Sequence, residues 1–287
     1  MPSEAFYEQK VAEGDKYYMS VCLDHFNQRL RVDDYRGNIH KISMVIMSLS
    51  AEYAYSKAIV YARREHVHDF VEAGFLLEAI IEGYFNGSHA YALTKYFEQG
   101  RKKSDKWIKE DNTLHQVLKL KKLTTLNPFP EDYVMRKATL SDVDQLASLY
   151  GEVFQIYPTP LNNPSYIEKI MNDSSIFFLI EKEGKIVSAA SATVNSQYCN
   201  AEITDCATLP EHREHGLMKH IMLELEQELI KQKVFSAYSI ARALSYGMNA
   251  ALYQLHYKYK GRMTNNCYIY DKMEDMNVWV KDLSVDG

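Results

Sequence analysis

Cysteine and proline are scarce in this chain of 287 residues, which holds four of the first and seven of the second. Cys22, Cys199, Cys206 and Cys267 lie at spacings that match neither a zinc site nor a disulfide framework. They read as free thiols of a protein kept in the reducing cytoplasm. Long apolar runs are missing too. No window reaches the roughly 18 apolar residues of a membrane span, and residues 42–49, the best attempt, are broken by serines. The first ten residues are polar, with no apolar core, so no secretory signal is expected. Positive charge is not in excess: 33 Lys and Arg stand against 38 Asp and Glu, a net charge of −5. That argues against nucleic acid as the main partner and suits a cationic small substrate. What remains is 46% hydrophobic and 25% charged, the composition of a soluble globular protein. The 22 tyrosines read as packing residues at sheets and interfaces.

The chain divides near residues 112–132. Residues 101–122 mix many Lys and Arg with acids and read as solvated. Thr124-Thr125-Leu126-Asn127-Pro128-Phe129-Pro130 follows, and its prolines disfavour regular structure. We therefore expect an N-terminal α/β domain at 1–125 and a second domain at 126–287. In the second, a strand at 133–138 leads to a helix ending at Phe154, capped by Thr139 to Asp142. Asn163 and Pro164 open a helix over 164–171. Strands at 175–181 and 185–194 turn at Glu183-Gly184. A strand at 199–209, a helix at 216–231, a strand at 234–241, a helix at 245–257 and strands at 261–270 and 276–280 complete it. The order predicts a mixed twisted sheet flanked by helices, of α/β (α+β) class. In the N-terminal domain we expect a hairpin at 17–22 and 28–34, a helix at 39–53, a strand at 57–61 and a helix at 65–73. A hairpin at 75–84 and 88–97 turns at Asn86-Gly87. Its strand–helix–strand–strand ending repeats that of the second domain.

The chemistry concentrates in the run from Asp205 to Lys219. A strand ends at Leu209-Pro210, a short turn carries Arg213, and a helix opens at Gly216. Free backbone N–H groups and the positive end of a helix converge at such a turn, which makes it a site for a pyrophosphate. Gly216 permits close approach, and Lys219 adds a local positive charge. His212 and His215, like His66 and His68, find no third ligand at a convincing spacing, so no metal is expected. Cys206 reads as strand packing.

Arg213-x-x-Gly216, after a strand and opening a helix, resembles the acetyl-CoA motif of the GNAT N-acetyltransferases. Met218 departs from that motif, standing where Gly or Ala is usual, and Glu214 replaces another frequent glycine. The resemblance implies a GNAT fold for the second domain, and the repeated strand–helix–strand–strand ending then makes the N-terminal half a degenerate GNAT-like domain. It implies cofactor contacts from Ala207, Thr208, Leu209, Arg213, Glu214, His215, Gly216, Leu217, Met218 and Lys219. Gly247-Met-Asn-Ala-Ala-Leu-Tyr253 resembles a second family element. By it, Asn249 would contact the cofactor and Tyr253 would protonate the departing sulfur, as a phenol of pKa about 10 can. The runs "ARALSYGMN", "HYKYKGRMTNNCYI" and "EDMNVWVKDL" are similar to the β-lysine N-acetyltransferases. That narrower likeness implies transfer of acetyl from acetyl-CoA to the side-chain amine of β-lysine, by direct attack in a ternary complex. The product, Nε-acetyl-β-lysine, is a compatible solute in that family's setting. Rival readings are another amine as acceptor, such as a polyamine or a lysine-like amino acid, and a non-catalytic acyl-CoA-binding sensor.

β-Lysine has two amines and one carboxylate. Its attacking amine, of pKa about 10, must first lose a proton to a carboxylate or through a water. Glu202 and Asp205 lie on the strand that leads to the turn. Three residues apart, they point to opposite faces unless a bulge intervenes. Asp205 is favoured for substrate contact and Glu202 as base. Arg242 or Arg262 is the carboxylate clamp. Asn265 and Asn266 either hydrogen-bond substrate or shape a turn. Asp275 with Glu274 either holds the distal ammonium or forms a solvated acidic loop. The N-terminal half would complete the cleft, pair with the catalytic sheet, or form a homodimer contact.

Overall fold

The computed structural model describes residues 6–285. Strands β1 (Glu8–Gly14), β2 (Tyr17–Asp24) and β3 (Arg29–Gly37) form an antiparallel meander. Asn38 caps α1 (Ile39–Glu52) by accepting the Lys41 N–H at 3.0 Å. The helix returns the chain to β4 (Lys57–Ala62), which lies parallel to β3. A single 3₁₀ turn, Arg64–His66, leads into α2 (Val67–Glu72). The hairpin β5 (Leu76–Phe85) and β6 (Ser88–Tyr96) ends the half. Next come α3 (Gln99–Lys102) and α4 (Trp107–Leu118).

The second half opens with β7 (Val134–Lys137), α5 (Val143–Val153) and α6 (Pro164–Asp173). Thr139 and Asp142 form a capping box before α5, and Asn163 caps α6 with Pro164 in the first turn. Then follow β8 (Ser175–Lys182), β9 (Lys185–Asn195), β10 (Asn200–Thr208) and α7 (Leu217–Lys231). Leu217, Ile221, Leu225 and Leu229 recur every four residues on α7, and all four are buried. β11 (Ser236–Arg242), α8 (Tyr246–Gln254), β12 (Lys258–Ile269) and β13 (Lys272–Asp282) complete the chain.

The strands join in one sheet, in the order β1-β2-β3-β4-β6-β5-β12-β13-β11-β10-β9-β8-β7. The connectivity repeats. Strand, helix, parallel strand, helix and hairpin run from β3 to β6, and again from β10 to β13. The two halves meet back to back through β5 and β12, where Gly261 pairs with Ala79. Gly261 sits at φ +132°, and a Cβ there would lie 2.2 Å from the Glu78 carbonyl oxygen. Only glycine fits that seam. The sheet curls enough for the Tyr7 hydroxyl, at its first strand, to stand 3.3 Å from the Tyr166 hydroxyl on α6. One core lies under α1 and α2, and another packs α5 and α7 against the second half. A third, including Ile59, Tyr61, Tyr238 and Met276, lies between the halves. Among the described residues no helix is long and apolar enough to cross a membrane.

The sequence missed β1, α3 and α4, and it drew β12 and β13 too short. The expectation of a solvated 101–122 is corrected. Arg101 and Glu110 are buried, and Glu110 with Asp111 pairs with Arg262 on β12, where the Arg262 guanidinium also covers the Trp107 ring.

Candidate active site

Between β10 and α7 the backbone alternates in hand. Glu214 has φ +70° and Gly216 φ +74°, and the N–H groups of residues 214–218 make no hydrogen bond within the described residues. Successive free N–H groups in such a turn form an anion cradle, which the N-terminus of α7 reinforces. The cradle is one wall of a cavity of about 560 Å³. Thr208, Arg213, Glu214, Gly216, Leu217, Met218 and Lys219 line this cavity, and Arg242, Ser245, Gly247, Met248 and Ala251 face them. Met218 also packs against the core, and its N–H stays free. Arg213 is tethered by its Nε to the Thr208 carbonyl at 3.1 Å. Burial lowers the pKa of Lys219, whose Nζ donates to Gln254 at 2.7 Å. Ala207 and Leu209 point into the core and offer only backbone. His215 stands behind the cradle beside Tyr133, whose hydroxyl bonds His212 Nδ1 at 2.9 Å.

Strands β10 and β11 pair only as far as Glu202 with Tyr238, and then diverge. On the other side the β10–β9 register breaks between Thr204 and Ala207, with Asp205 at φ +54°. This β-bulge corrects the alternation argument. It rotates Asp205 so that Glu202, Thr204 and Asp205 all line one cavity, of about 400 Å³. A neck of about 100 Å³ joins the two spaces. Phe154, Cys206, Arg242, Ser245 and Met248 border it from the first cavity, and Tyr157, Thr204, Asp205 and Ile240 from the second.

The acids of the second cavity are tuned, Asp205 at the neck and Glu202 beyond it. Burial pushes the Glu202 carboxyl up to about 7, against the pull of Arg31 and with Asp205 adding to the rise. Burial also raises Asp205, held by Ser191 Oγ at 2.6 Å and the Tyr157 hydroxyl at 3.2 Å. Burial and the neighbouring Asp205 drive the Cys206 thiol far up. Cys206 is therefore not merely strand packing: it sits at the neck as a neutral thiol.

Several expected site residues lie elsewhere. Asn249 is fully buried. Its amide donates to the Arg242 and Ser245 carbonyls, and its Oδ1 accepts from Asn277 and Trp279. It ties α8 to the sheet and does not reach the cavity. Gly247, Met248 and Ala251 are the cavity face of α8, and Tyr253, about 200° around the helix from Ala251, donates its hydroxyl to the Leu118 carbonyl at 3.1 Å. Arg262 is buried, with Asp111 at 2.9 Å and Asn277 at 2.9 Å. Asn265 donates to the Arg101 and Lys103 carbonyls, and its N–H reaches Asp275 at 2.7 Å. Asp275 and Glu274 are buried, not a solvated loop. These residues bind α3 and α4 to the sheet, because their partners come from the other half. Arg242 alone of the two clamp candidates borders a cavity, with its guanidinium over the Tyr270 ring.

The sequence reading missed Tyr157, Arg29, Arg31, Asp24 and Tyr61, which line the second cavity. Tyr157 carried a faint signal: the run Phe154 to Pro160 contains two prolines and cannot continue α5. The N-terminal residues carried none, since only the curl of the sheet brings them there. Among the described residues no group of three or more His, Cys, Asp or Glu is placed to hold a metal.

Residues 143–257, which contain the cradle, the bulge and α8, match the model of the Acetyltransferase (GNAT) family. Similarity to named proteins runs nearly end to end. The N-acetyltransferase YodP of Bacillus subtilis (strain 168) is 37% identical over 267 residues, covering 92% of this chain and 97% of that protein. The Beta-lysine N(6)-acetyltransferase of Methanosarcina mazei is 35% identical over 270 residues, covering 87% and 100%. The protein of that name from Methanococcus maripaludis is 31% identical over 264 residues, covering 91% and 95%.

Proposed function

Because the chain belongs to the GNAT family of acetyltransferases, we propose that it transfers the acetyl group of acetyl-CoA to the side-chain amine of β-lysine. The observation that carries this reading is the pair of cavities joined at the neck, one with an anion cradle and one with acids. The cradle fits the cofactor: the free N–H groups of residues 214–218 and the Arg213 guanidinium suit a diphosphate. Acetyl-CoA would supply an activated acetyl thioester. The residues of this chain supply the rest. Asp205 and Glu202 attract an ammonium group into the second cavity. Glu202, with its pKa near neutrality, accepts the proton that the amine must lose before attack. Tyr157 and Ser191 fix Asp205. A thiol as neutral as Cys206 is a poor nucleophile, which favours direct attack over an acetylated cysteine. Two relatives bear β-lysine in their names, and that supports the acceptor.

We read the N-terminal half as a degenerate repeat of the catalytic one. The place between β3 and β4 that matches the cofactor cleft is filled by Tyr35. Its side chain is buried, and its hydroxyl accepts the Arg63 N–H at 3.0 Å. That half therefore serves the acceptor cavity rather than a second cofactor.

A panel of β-lysine, lysine and spermidine, each with acetyl-CoA and scored by release of free CoA, tests the reading. β-Lysine should give the highest kcat/KM. Equal use of all three would discard the assigned acceptor. Acetyl-CoA binding without turnover on any amine would leave a sensor.

A further inference from the structure

We infer that Arg31, from the N-terminal half, is the carboxylate clamp of the acceptor site and makes the enzyme select amino acids over simple diamines. The inference rests on the acetyltransferase reading above but adds the part of the site that decides between acceptors.

The second cavity is lined by charges from both halves: Asp24, Arg29 and Arg31 on one side, Asp173, Glu202 and Asp205 on the other. Its volume of about 400 Å³ falls within the roughly 300–1,000 Å³ of small-molecule sites. A simple diamine would need only the acids. The cations need a different explanation, and they are not equally open: the Arg29 side chain is 9% exposed and that of Arg31 30%. Arg29 donates from Nε to Asp24 at 2.8 Å and from Nη1 to the Asn266 carbonyl at 2.9 Å. Arg29 Nη2 makes no hydrogen bond among the described residues but belongs to the more enclosed side chain, whereas Arg31 is the more open of the two. Asp33 takes its Nε at 2.5 Å and its Nη2 at 3.2 Å, and Nη1 makes no hydrogen bond among the described residues. Asp33 thus orients the guanidinium and leaves its far edge for the cavity.

Two further groups line the same space. The Tyr61 hydroxyl makes no hydrogen bond within the described residues, and burial pushes its pKa up to about 12, so it is a neutral donor. Asn266 also lines the cavity, with its side-chain Oδ1 closed off from it. Arg31 Nη1 and Tyr61 for a carboxylate, and Glu202 and Asp205 for the two amines, match the three polar ends of a diamino acid.

The test compares each amino acid with its decarboxylated counterpart: β-lysine with 1,4-diaminopentane, lysine with cadaverine, and ornithine with putrescine. Rates are taken at pH 9, well above the Glu202 value of about 7, so that loss of the Arg31 charge disturbs its ionisation least. Wild type should favour the acid of the pair it uses best by about 10- to 100-fold in kcat/KM, as for a charge-assisted hydrogen bond in a cavity. Arg31→Gln should bring that ratio near one, while Arg31→Lys restores part of it. Both variants should keep the wild-type KM for acetyl-CoA, which shows that the fold survives. A wild-type ratio near one, or an unchanged ratio in Arg31→Gln, overturns the clamp. If lysine is used and β-lysine is not, the acceptor assignment fails while the clamp is judged on lysine and cadaverine. If nothing is acetylated, calorimetric binding of β-lysine and 1,4-diaminopentane to both proteins judges it instead: equal binding overturns it.

Discussion

Replacing Glu202 with Gln removes a base while keeping its shape, and it should move activity and stability in opposite directions. A base acts only when ionised. With the carboxyl at about 7, wild-type kcat/KM should fall about tenfold per pH unit below 7 and level off above it. Glu202→Gln should lose about 10²- to 10⁴-fold at pH 8 and lose that inflection. Stability runs the other way. The folded pKa is raised from 4.5 to about 7, so folding favours the protonated acid. That advantage is complete below 4.5 and is lost as pH rises to 7. A shift of about 2.5 units, at ~1.36 kcal/mol per unit, makes the ionised carboxylate cost up to about 3 kcal/mol above pH 7. Gln escapes the cost. The variant should gain roughly 5–10 °C in Tm at pH 8 and much less at pH 5. Initial rates by CoA release from pH 5.5 to 9, with thermal melts at pH 5 and 8, read both effects. A variant within threefold of wild type with the same inflection refutes the base. A Tm unchanged or lower at pH 8 refutes burial as the cause of the shift.

Tyr253→Phe loses only a hydrogen bond to the Leu118 carbonyl, so kcat should stay within threefold and stability should fall by about 1 kcal/mol. A hundredfold loss of kcat would restore Tyr253 to the thioester. Arg213→Ala should raise KM for acetyl-CoA about tenfold at low salt, with a smaller effect at 0.5 M salt. A changed kcat with unchanged KM would contradict the cradle. Gly261→Ala places a Cβ against the Glu78 carbonyl and should cost at least about 1–3 kcal/mol from backbone strain alone, read by denaturant unfolding. An unaltered midpoint would mean the seam between the halves is not tight.

What was legible in the sequence was local. The cradle could be read because strand, Arg213, Gly216 and helix are consecutive. The repeated connectivity could be read because each half has its own turn and cap residues, such as Asn86-Gly87 and Gly216. The bulge was not legible, since an aspartate rather than a glycine takes the left-handed conformation at 205. Asn249 reads from the sequence as a cofactor contact, and Arg262, Asn265 and Asp275 as substrate contacts. Their partners lie on the sheet beneath α8 and in α3 and α4, so tertiary contacts that pattern does not encode decided their use. The charges of 101–122 misled for the same reason: composition shows a mixed run, but not that Glu110 is buried against Arg262. The acceptor cavity was half legible, because Glu202 and Asp205 stand beside the motif while Arg31 comes from a strand far from it in sequence.

The most direct measurement is the NMR spectrum of the product from acetyl-CoA labelled at the acetyl carbonyl, with β-lysine as acceptor. The account predicts one product, with the labelled carbonyl coupled across the amide to the protons of the terminal side-chain CH₂. Label on the β-amine, or acetyl-CoA bound but not consumed, would contradict it.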